Sequence, residues 1–377
     1  MIAKRIQSID IMRGIVMLIM LLDHVRERFY YHQQVSDPMV IESTSPELFF
    51  SRFAAHFCAP IFVFLTGVSA WLYCHPANGQ NRSAQEFLLK RGLFLIALEC
   101  TLITFQWMGN YNTIWLQVIW AIGVSMLALA LLLKLPKYWL LSIGLIIVFG
   151  HNLLTPIEFE QGQWGYTLWA ILHDRGYILP NDLVTIRASY PVLPWVGVIL
   201  LGYCLGPVYA SSYKACKRQS VLLWLGVAAF LTFAVLRGFN IYGETLDWQV
   251  QQSFTLSLMS LLNVTKYPPS LAFLLITLSG MLVGLRALES LNPRYGALLS
   301  TFGSAPMFFY ILHLYVLLFM YHGALWLFGP NYGDLFGFTN MGYVWLVTVL
   351  LAVGLYFPTR AFARYKHSSK SAWIKYF

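Results

Sequence analysis

Apolar residues fill most of the chain in long blocks, and shorter segments rich in charged residues, proline and glycine separate these blocks. A helix needs about 20 predominantly apolar residues to cross a bilayer. The pattern predicts about ten membrane-spanning helices, over residues 9–30, 47–74, 86–106, 111–133, 138–154, 191–210, 219–237, 269–288, 298–325 and 340–358. We therefore expect an all-α polytopic integral membrane protein in which residues 1–377 form a single transmembrane domain.

Three of the segments between these blocks are long, namely residues 31–46, 155–190 and 238–268. Long segments that are not linkers usually carry function. Aromatic residues in the second segment suit a piece of chain that lies at the membrane interface. In the third segment, apolar residues recur at helical spacing before Pro268 and Pro269, which predicts a short helix there.

The composition agrees with a membrane protein, because 58% of the residues are hydrophobic, only 11% are charged and the mean hydropathy is +0.62. An N-terminus in the cytoplasm places most of the 25 Lys and Arg residues on the cytoplasmic side, so the positive-inside rule predicts both termini there. We expect the net charge of +9 to reflect this topology and contact with membrane lipid, with no nucleic-acid partner. The five scattered cysteines are expected to serve packing, without a disulfide framework.

The first predicted span carries four ionisable residues, Asp10, Arg13, Asp23 and His24. Each such residue costs roughly 2.5 to 3.5 kcal/mol in hydrocarbon, so a helix that keeps several indicates a functional site. Arg13 and His24 are about three helical turns apart, which places them on one face and roughly 16 Å from each other. Asp10 and Arg13 could instead form a local ion pair, and Arg26 at the end of the span is expected to lie at the membrane interface.

The second predicted span places Arg52 and His56 on one helical face, with Pro60 four residues further along. Since proline has no N–H to donate, the carbonyl of His56 loses its helical hydrogen bond and the helix should break there. A histidine at this position could act in proton transfer or simply bond a backbone carbonyl of a neighbouring helix. Asp23 could orient the imidazole of either His24 or His56.

Two further places carry candidate binding residues. In the ninth predicted span, His313 follows Pro306 on the same helical face and adds a third membrane-embedded imidazole. Lys266 and Tyr267 precede the eighth span, where they could bind a substrate or anchor the chain at the interface.

The chain resembles the bacterial heparan-alpha-glucosaminide N-acetyltransferase-like family of integral membrane proteins, within the broader transmembrane acyltransferases. The resemblance runs nearly from end to end. It rests on five sequence blocks: RIQSIDIMRGIVMLIMLLDHVR, RFAAHFCAPIFVFLTGVSAWL, SYPVLPWVGVILLGYCLG, NVTKYPPSL and FGSAPMFFYILHLY.

The resemblance implies a single acyltransferase domain that takes an acetyl group from cytoplasmic acetyl-CoA, without a metal. The acceptor would be the amine or hydroxyl of a small molecule or glycan, an amino sugar or envelope glycan, on the outer side of the membrane. The implied location is the inner (plasma) membrane with several passes, and a homodimer is the implied assembly. In this view Arg52, His313, Lys266 and Tyr267 contact the acceptor.

The spacing of Arg13 and His24 is similar to the arginine, ten residues, histidine motif of acyltransferases that acetylate surface glycans. Carried over, His24 is the catalytic base, and Arg13 with Asp10 faces the acyl-CoA. In the lysosomal relatives an asparagine occupies the position of Asp23, and the catalytic histidine lies in the following loop, which here offers His32. The base is therefore His24, His32 or His56.

Two other classes of protein fit parts of the pattern. A proton-coupled secondary transporter would use buried ionisable groups and broken helices, and ten spans divide into five plus five. However, the polar residues of the first two spans have no counterpart in the sixth and seventh. A non-catalytic membrane scaffold would leave the cost of three buried histidines without a function.

Overall fold

A computed structural model describes residues 7–76, 79–80, 82–179, 184–371 and 373–377. The protein is mostly helical, with 70% of the described residues in helices and 4% in strands, which confirms the predicted helical class. The α-helices in the described residues are α1 Gln7–Phe29, α2 Pro46–His56, α3 Cys58–Cys74, α4 Ala84–Leu98, α5 Thr104–Met108, α6 Val118–Leu132, α7 Lys137–Gly150, α8 Tyr166–Leu172, α9 Leu193–Leu205, α10 Ala215–Gly238, α11 Phe254–Leu262, α12 Leu271–Glu289, α13 Pro293–Ser304, α14 Pro306–Phe328 and α15 Met341–Ser368.

Six helical stretches in the described part of the chain are long and apolar enough to cross a membrane. They are Pro46–Cys74, Lys137–Leu154, Ala215–Gly238, Leu271–Glu289, Pro306–Phe328 and Met341–Ser368. Two shorter apolar helices are Val118–Leu132 and Leu193–Tyr209. The count of ten spans and the cytoplasmic termini stay predictions, as does the single domain over residues 1–377, whose first six residues lie outside the described part.

The chain forms two compact units that alternate along the sequence. In the described residues, the first unit contains Ala59–Asp247 and Val264–Arg286, and the second contains residues 7–58, Trp248–Asn263 and Ala287–Phe377.

The first unit includes a small sheet made of β1 Thr113–Leu116, β2 Gly176–Leu179 and β3 Thr185–Ala188. Strand β3 lies in the middle, parallel to β1 and antiparallel to β2. The predicted helix over 111–133 is wrong in its first part, because helix α6 begins only at Val118. The residues of β1 instead pair their backbone with β3, and their β-branched and aromatic side chains suit a strand.

Proline and its neighbours divide two of the predicted spans. Helix α2 ends at His56 and α3 begins at Cys58, which confirms the predicted break before Pro60. The N–H of Phe57 there donates to the carbonyls of Ala54 and Ala55. The predicted span 298–325 is likewise divided between α13 and α14. Pro306 lies in the first turn of α14, where backbone N–H groups have no helical acceptor, so proline costs no helical hydrogen bond there.

Helix α1 is the centre of the second unit, and it packs against α2, α13, α14 and α15. Its contact with α13 is close because both helices carry glycine where the backbones meet. A Cβ atom at Gly14 would overlap the carbonyl oxygen of Leu299, and one at Gly303 would overlap the carbonyl oxygen of Asp10. Small residues let membrane helices approach in this way, since burial against lipid tails supplies little driving force.

The segment after α1 folds back onto the same unit. Met39, Ile41, Phe49 and Met259 form a buried apolar cluster between this segment, α2 and α11. Helix α11 also confirms the short helix expected within residues 238–268. Asn263 anchors the segment, because its side chain accepts from the N–H of Met39 at 2.9 Å and donates to the carbonyl of Met39 at 2.7 Å.

We expect Gly14→Ala to lower the melting temperature of the detergent-solubilised protein by many degrees, because the added methyl group meets the backbone of α13 rather than a flexible side chain. Gly323→Ala on α14 is the matched control, since nothing lies within 4 Å of a Cβ atom there. In a helix interior, replacing glycine by alanine raises the free energy of unfolding by up to about 1 kcal/mol. Equal melting temperatures for the two variants would contradict the close packing of α1 and α13.

Candidate active site

Helices α1 and α14 bring two of the predicted site histidines together. Nδ1 of His24 lies 2.8 Å from Nε2 of His313, and the two rings are nearly parallel, with centroids 5.1 Å apart. Nδ1 of His313 in turn lies 2.6 Å from the carbonyl oxygen of Phe309, one turn earlier in α14. His24 is 9% exposed and His313 is fully buried. The protein thus contains a chain of hydrogen bonds from a backbone carbonyl through two imidazoles.

Tyr310 supports this histidine pair. Its ring meets the ring of His24 edge to face at 5.7 Å and that of His313 at 5.6 Å, and it is 2% exposed. Tyr310 was not among the site residues predicted from the sequence. The available signal was its position three residues before His313, which places the two side chains on neighbouring parts of one helical face.

A second group of polar residues lies at the end of α1 and is electrically balanced. One carboxylate oxygen of Asp23 accepts from Arg26 at 2.8 to 2.9 Å, and the other accepts from Arg52 of α2 at 2.8 Å. Glu27 lies 3.4 Å from Arg26 and 4.0 Å from Arg52. Two cations thus face two anions, an arrangement that offsets the cost of removing charges from water.

This charge cluster, Asp23, Arg26, Glu27 and Arg52, contains three residues for which the sequence predicted a role. Arg26 is only 6% exposed and pairs with Asp23, and its expected position at the membrane interface stays a prediction. Both oxygens of Asp23 accept from arginines, and its role in orienting an imidazole stays a prediction. The guanidinium of Arg52 lies on Asp23, and its contact with substrate likewise stays a prediction.

At the other end of α1, Asp10 and Arg13 lie close together, with 3.7 Å between a carboxylate oxygen and a guanidinium nitrogen. Of the two roles considered for them, the local ion pair is therefore present in the structure. Asp10 is buried, whereas the Arg13 side chain keeps 20% of its surface exposed. Their contact with an acyl donor stays a prediction.

The two alternative base candidates lie in different surroundings. His56, at the end of α2, is 1% exposed and meets the ring of Phe53 edge to face at 5.8 Å. His32 lies in a short turn after α1, and its ring stacks on Tyr332 with centroids 3.6 Å apart. Burial lowers the pKa of His32 and so favours its neutral form.

The predicted binding residues Lys266 and Tyr267 belong to the first unit. Tyr267 shares a hydrogen bond of 2.9 Å with the hydroxyl of Tyr190, and the Arg175 guanidinium lies 4.7 Å from the centre of its ring. The Lys266 ammonium lies 5.1 Å from the same ring. Their loop is ordered by Glu244, which accepts from the N–H of Thr265 at 2.9 Å and from the Ser270 hydroxyl at 2.7 Å. Substrate binding by this pair stays a prediction.

In the part of the chain that the structure describes, no group of three or more His, Cys, Asp or Glu side chains is arranged to hold a metal ion.

We expect Asp23→Asn to destabilise the protein more than Arg52→Met. The first change replaces the carboxylate that both buried arginines contact by a neutral amide, whereas the second leaves Asp23 paired with Arg26. Removing one partner of a buried ion pair costs about 3 to 5 kcal/mol. Melting temperatures in detergent measure the difference, with Glu42→Gln as an exposed control. If Arg52→Met were the more damaging change, Asp23 would not be the common partner of the two arginines.

Comparison with known families adds one finding. A family model described as heparan-alpha-glucosaminide N-acetyltransferase, catalytic, matches residues 5–233, which is more than half of the chain. The matched region contains Arg13, His24, Arg52 and His56, whereas His313 lies beyond its end. No curated protein sequence matches the chain.

Proposed function

The chain belongs to the heparan-alpha-glucosaminide N-acetyltransferase family, and on that premise we propose that it transfers an acetyl group from acetyl-CoA on the cytoplasmic side to an acceptor on the outer side of the membrane. Membership indicates an acetyltransferase, and the apolar helices indicate a membrane protein. The observation that supports the active site is the buried pair of His24 and His313, because His24 has an imidazole partner and its spacing from Arg13 is similar to the motif of acyltransferases that acetylate surface glycans.

In the proposed reaction, His24 is the general base. It accepts the proton of the acceptor amine or hydroxyl while that nitrogen or oxygen attacks the carbonyl carbon of the thioester. A C–N or C–O bond forms, the C–S bond breaks, and the proton passes from His24 to the thiolate of CoA. Histidine suits this role because its ordinary pKa lies near neutral pH, and general-base help is worth about 10² to 10⁴ in rate.

The donor is proposed to approach from the end of α1 that carries Arg13. An arginine can hold phosphate through paired, charge-assisted hydrogen bonds, and the Arg13 side chain is partly exposed. Asp10 then orients Arg13 through their ion pair. The rise of α1 separates Arg13 from His24 by about 16 Å, so the phosphates of the donor and its reacting thioester can occupy opposite ends of one helix.

The acceptor is proposed to be an amino sugar or another glycan of the cell envelope, and the location to be the inner (plasma) membrane. These proposals rest on the family, whose description names a glucosaminide as the acetylated group. Lys266 and Tyr267 are the proposed acceptor contacts in the first unit. Membrane lipid and a second copy of the chain are the other proposed partners.

We expect His24→Ala to abolish acetyl transfer and leave acetyl-CoA binding nearly unchanged, since the base is lost and the donor contacts remain. Transfer from radiolabelled acetyl-CoA to glucosamine-containing acceptors measures the first effect, and equilibrium binding of acetyl-CoA measures the second. His322→Ala, an exposed position of α14, is the control. An active His24→Ala protein would assign the proton transfer to another residue, and the variants His32→Ala and His56→Ala then show which one.

We also expect acetyl-CoA to raise the melting temperature of the purified protein, whereas inorganic phosphate at the same concentration does not. A ligand that binds only the folded state, at a concentration 100 times its Kd, raises the free energy of unfolding by about 2.7 kcal/mol. Arg13→Gln should weaken the shift, and Arg360→Gln, at an exposed position of α15, should not. Absence of any shift, together with proton-coupled uptake in vesicles that needs no CoA, would favour a transporter instead.

A further inference from the structure

We propose that His313 is a positioning residue that holds His24 in one tautomer, with the proton on Nδ1 and the lone pair on Nε2, so that Nε2 is the atom that takes the acceptor proton. The inference rests on the proposed function for the role of that lone pair. The tautomer itself follows from the hydrogen bonds around the two rings.

The carbonyl group of Phe309 fixes the proton position on His313. A carbonyl oxygen can only accept a hydrogen bond, and it lies 2.6 Å from Nδ1 of His313. Nδ1 of His313 therefore carries a proton and donates it. Phe309 also packs its ring against that of His313, with centroids 5.0 Å apart, so the same residue holds the ring from its backbone and from its side chain.

The contact between the two rings fixes the proton position on His24. A neutral imidazole has one N–H group, so Nε2 of His313 carries a lone pair. That atom lies 2.8 Å from Nδ1 of His24, and two nitrogens at this distance need one hydrogen between them. The hydrogen belongs to His24, because the opposite tautomer would aim two lone pairs at each other. Nε2 of His24 is then the nitrogen with the lone pair.

A charged His313 would also place a hydrogen between the rings, with the donor and acceptor reversed. Such a cation would lie in a side chain with no exposed surface, where an isolated charge is costly. The hydrogen-bond neighbours of its two nitrogens are a carbonyl oxygen and a second imidazole, and neither is an anion. Burial therefore favours the neutral ring and the direction of donation from His24 to His313.

The environment explains why an imidazole, rather than a carboxylate, orients the base. In serine proteases an aspartate fixes the tautomer of the catalytic histidine. The acidic neighbour here, Asp23, uses both oxygens for Arg26 and Arg52, and adjacent residues on a helix point about 100° apart. A neutral acceptor such as His313 fixes the tautomer without adding an anion to the interior.

The arrangement also keeps the hydrogen on Nδ1 of His24 in place while Nε2 takes and releases the transferred proton. When Nε2 of His24 takes the acceptor proton, His24 becomes an imidazolium and its Nδ1–H bond to His313 becomes a charge-assisted one, which is stronger. His313 stays neutral throughout. The added proton leaves from Nε2 to the sulfur of CoA, so His24 returns to its starting tautomer.

Nitrogen-15 NMR of the histidine rings tests the tautomer directly. Protein labelled with ¹⁵N-histidine and reconstituted in lipid bilayers distinguishes protonated from unprotonated ring nitrogens, and the signals absent from His24→Asn identify His24. We expect wild-type His24 to be protonated at Nδ1 and unprotonated at Nε2. Protonation at Nε2 alone would overturn the proposal. This measurement needs no substrate, so it remains decisive even if wild-type protein transfers no acetyl group, a result that would refute only the proposed function.

Steady-state kinetics tests the consequence. Losing the group that fixes the tautomer of a catalytic histidine can cost about 10⁴ in kcat, so we expect His313→Leu to lower kcat by about 10² to 10⁴. A positioning role leaves KM for acetyl-CoA within about twofold, since the donor contacts are elsewhere. His313→Gln should restore at least a tenth of kcat, because its side-chain oxygen can accept from Nδ1 of His24.

His322→Leu, on the same helix but exposed, is the matched control and should keep wild-type kcat. A His313→Leu protein with wild-type kcat would overturn the proposal. If that variant does not fold, His313→Gln decides in its place: loss of activity in a folded Gln variant whose His24 keeps the Nδ1 proton would show that His313 acts in some way other than by fixing the tautomer.

Discussion

The need to pair polar groups inside an apolar helix bundle governs the second unit. Helix α1 carries its ionisable residues through surroundings that offer little water, so the protein itself must supply partners. Asp10 meets Arg13, Asp23 meets Arg26 and Arg52, and His24 meets His313. Each of these contacts joins two residues of α1, or a residue of α1 and a residue of a neighbouring helix. The polar residues therefore help to define the packing, and they do so at both ends of the same helix.

Close packing makes these contacts possible. Glycine at positions 14 and 303 lets α1 and α13 meet backbone to backbone, and the chain then turns at Ala305 into α14. That turn starts α14 beside the helix that carries His24. The C-terminal end of α1 is held in turn by Phe338, whose N–H donates to the carbonyl of Phe29 at 2.7 Å and whose ring stacks on that of Phe29. Backbone contacts at both ends thus support the histidine pair.

The two imidazoles come from distant parts of the chain, and only one lies in the region that the family model matches. The matched region supplies His24 and the charge cluster, while α14 supplies His313, Tyr310 and the Phe309 carbonyl. In the proposed mechanism, proton transfer by His24 thus depends on residues near the opposite end of the sequence. A neutral partner for the proposed base is compatible with an interior where the Asp23 carboxylate already pairs with two arginines.

The sequence by itself determined what depends on neighbouring residues: the helical, membrane-embedded character of the chain, the break before Pro60, helix α11 and the spacing of Arg13 and His24 along α1. Helical periodicity and the missing N–H of proline act within a few residues, so they are visible in the printed order. Only the tertiary structure decided that Asp23 holds arginines, that Arg26 is buried, that His313 meets His24 and that β1 is a strand. These depend on which helices and strands pack together, and partners as far apart as His24 and His313 leave no local pattern from which that pairing could be predicted.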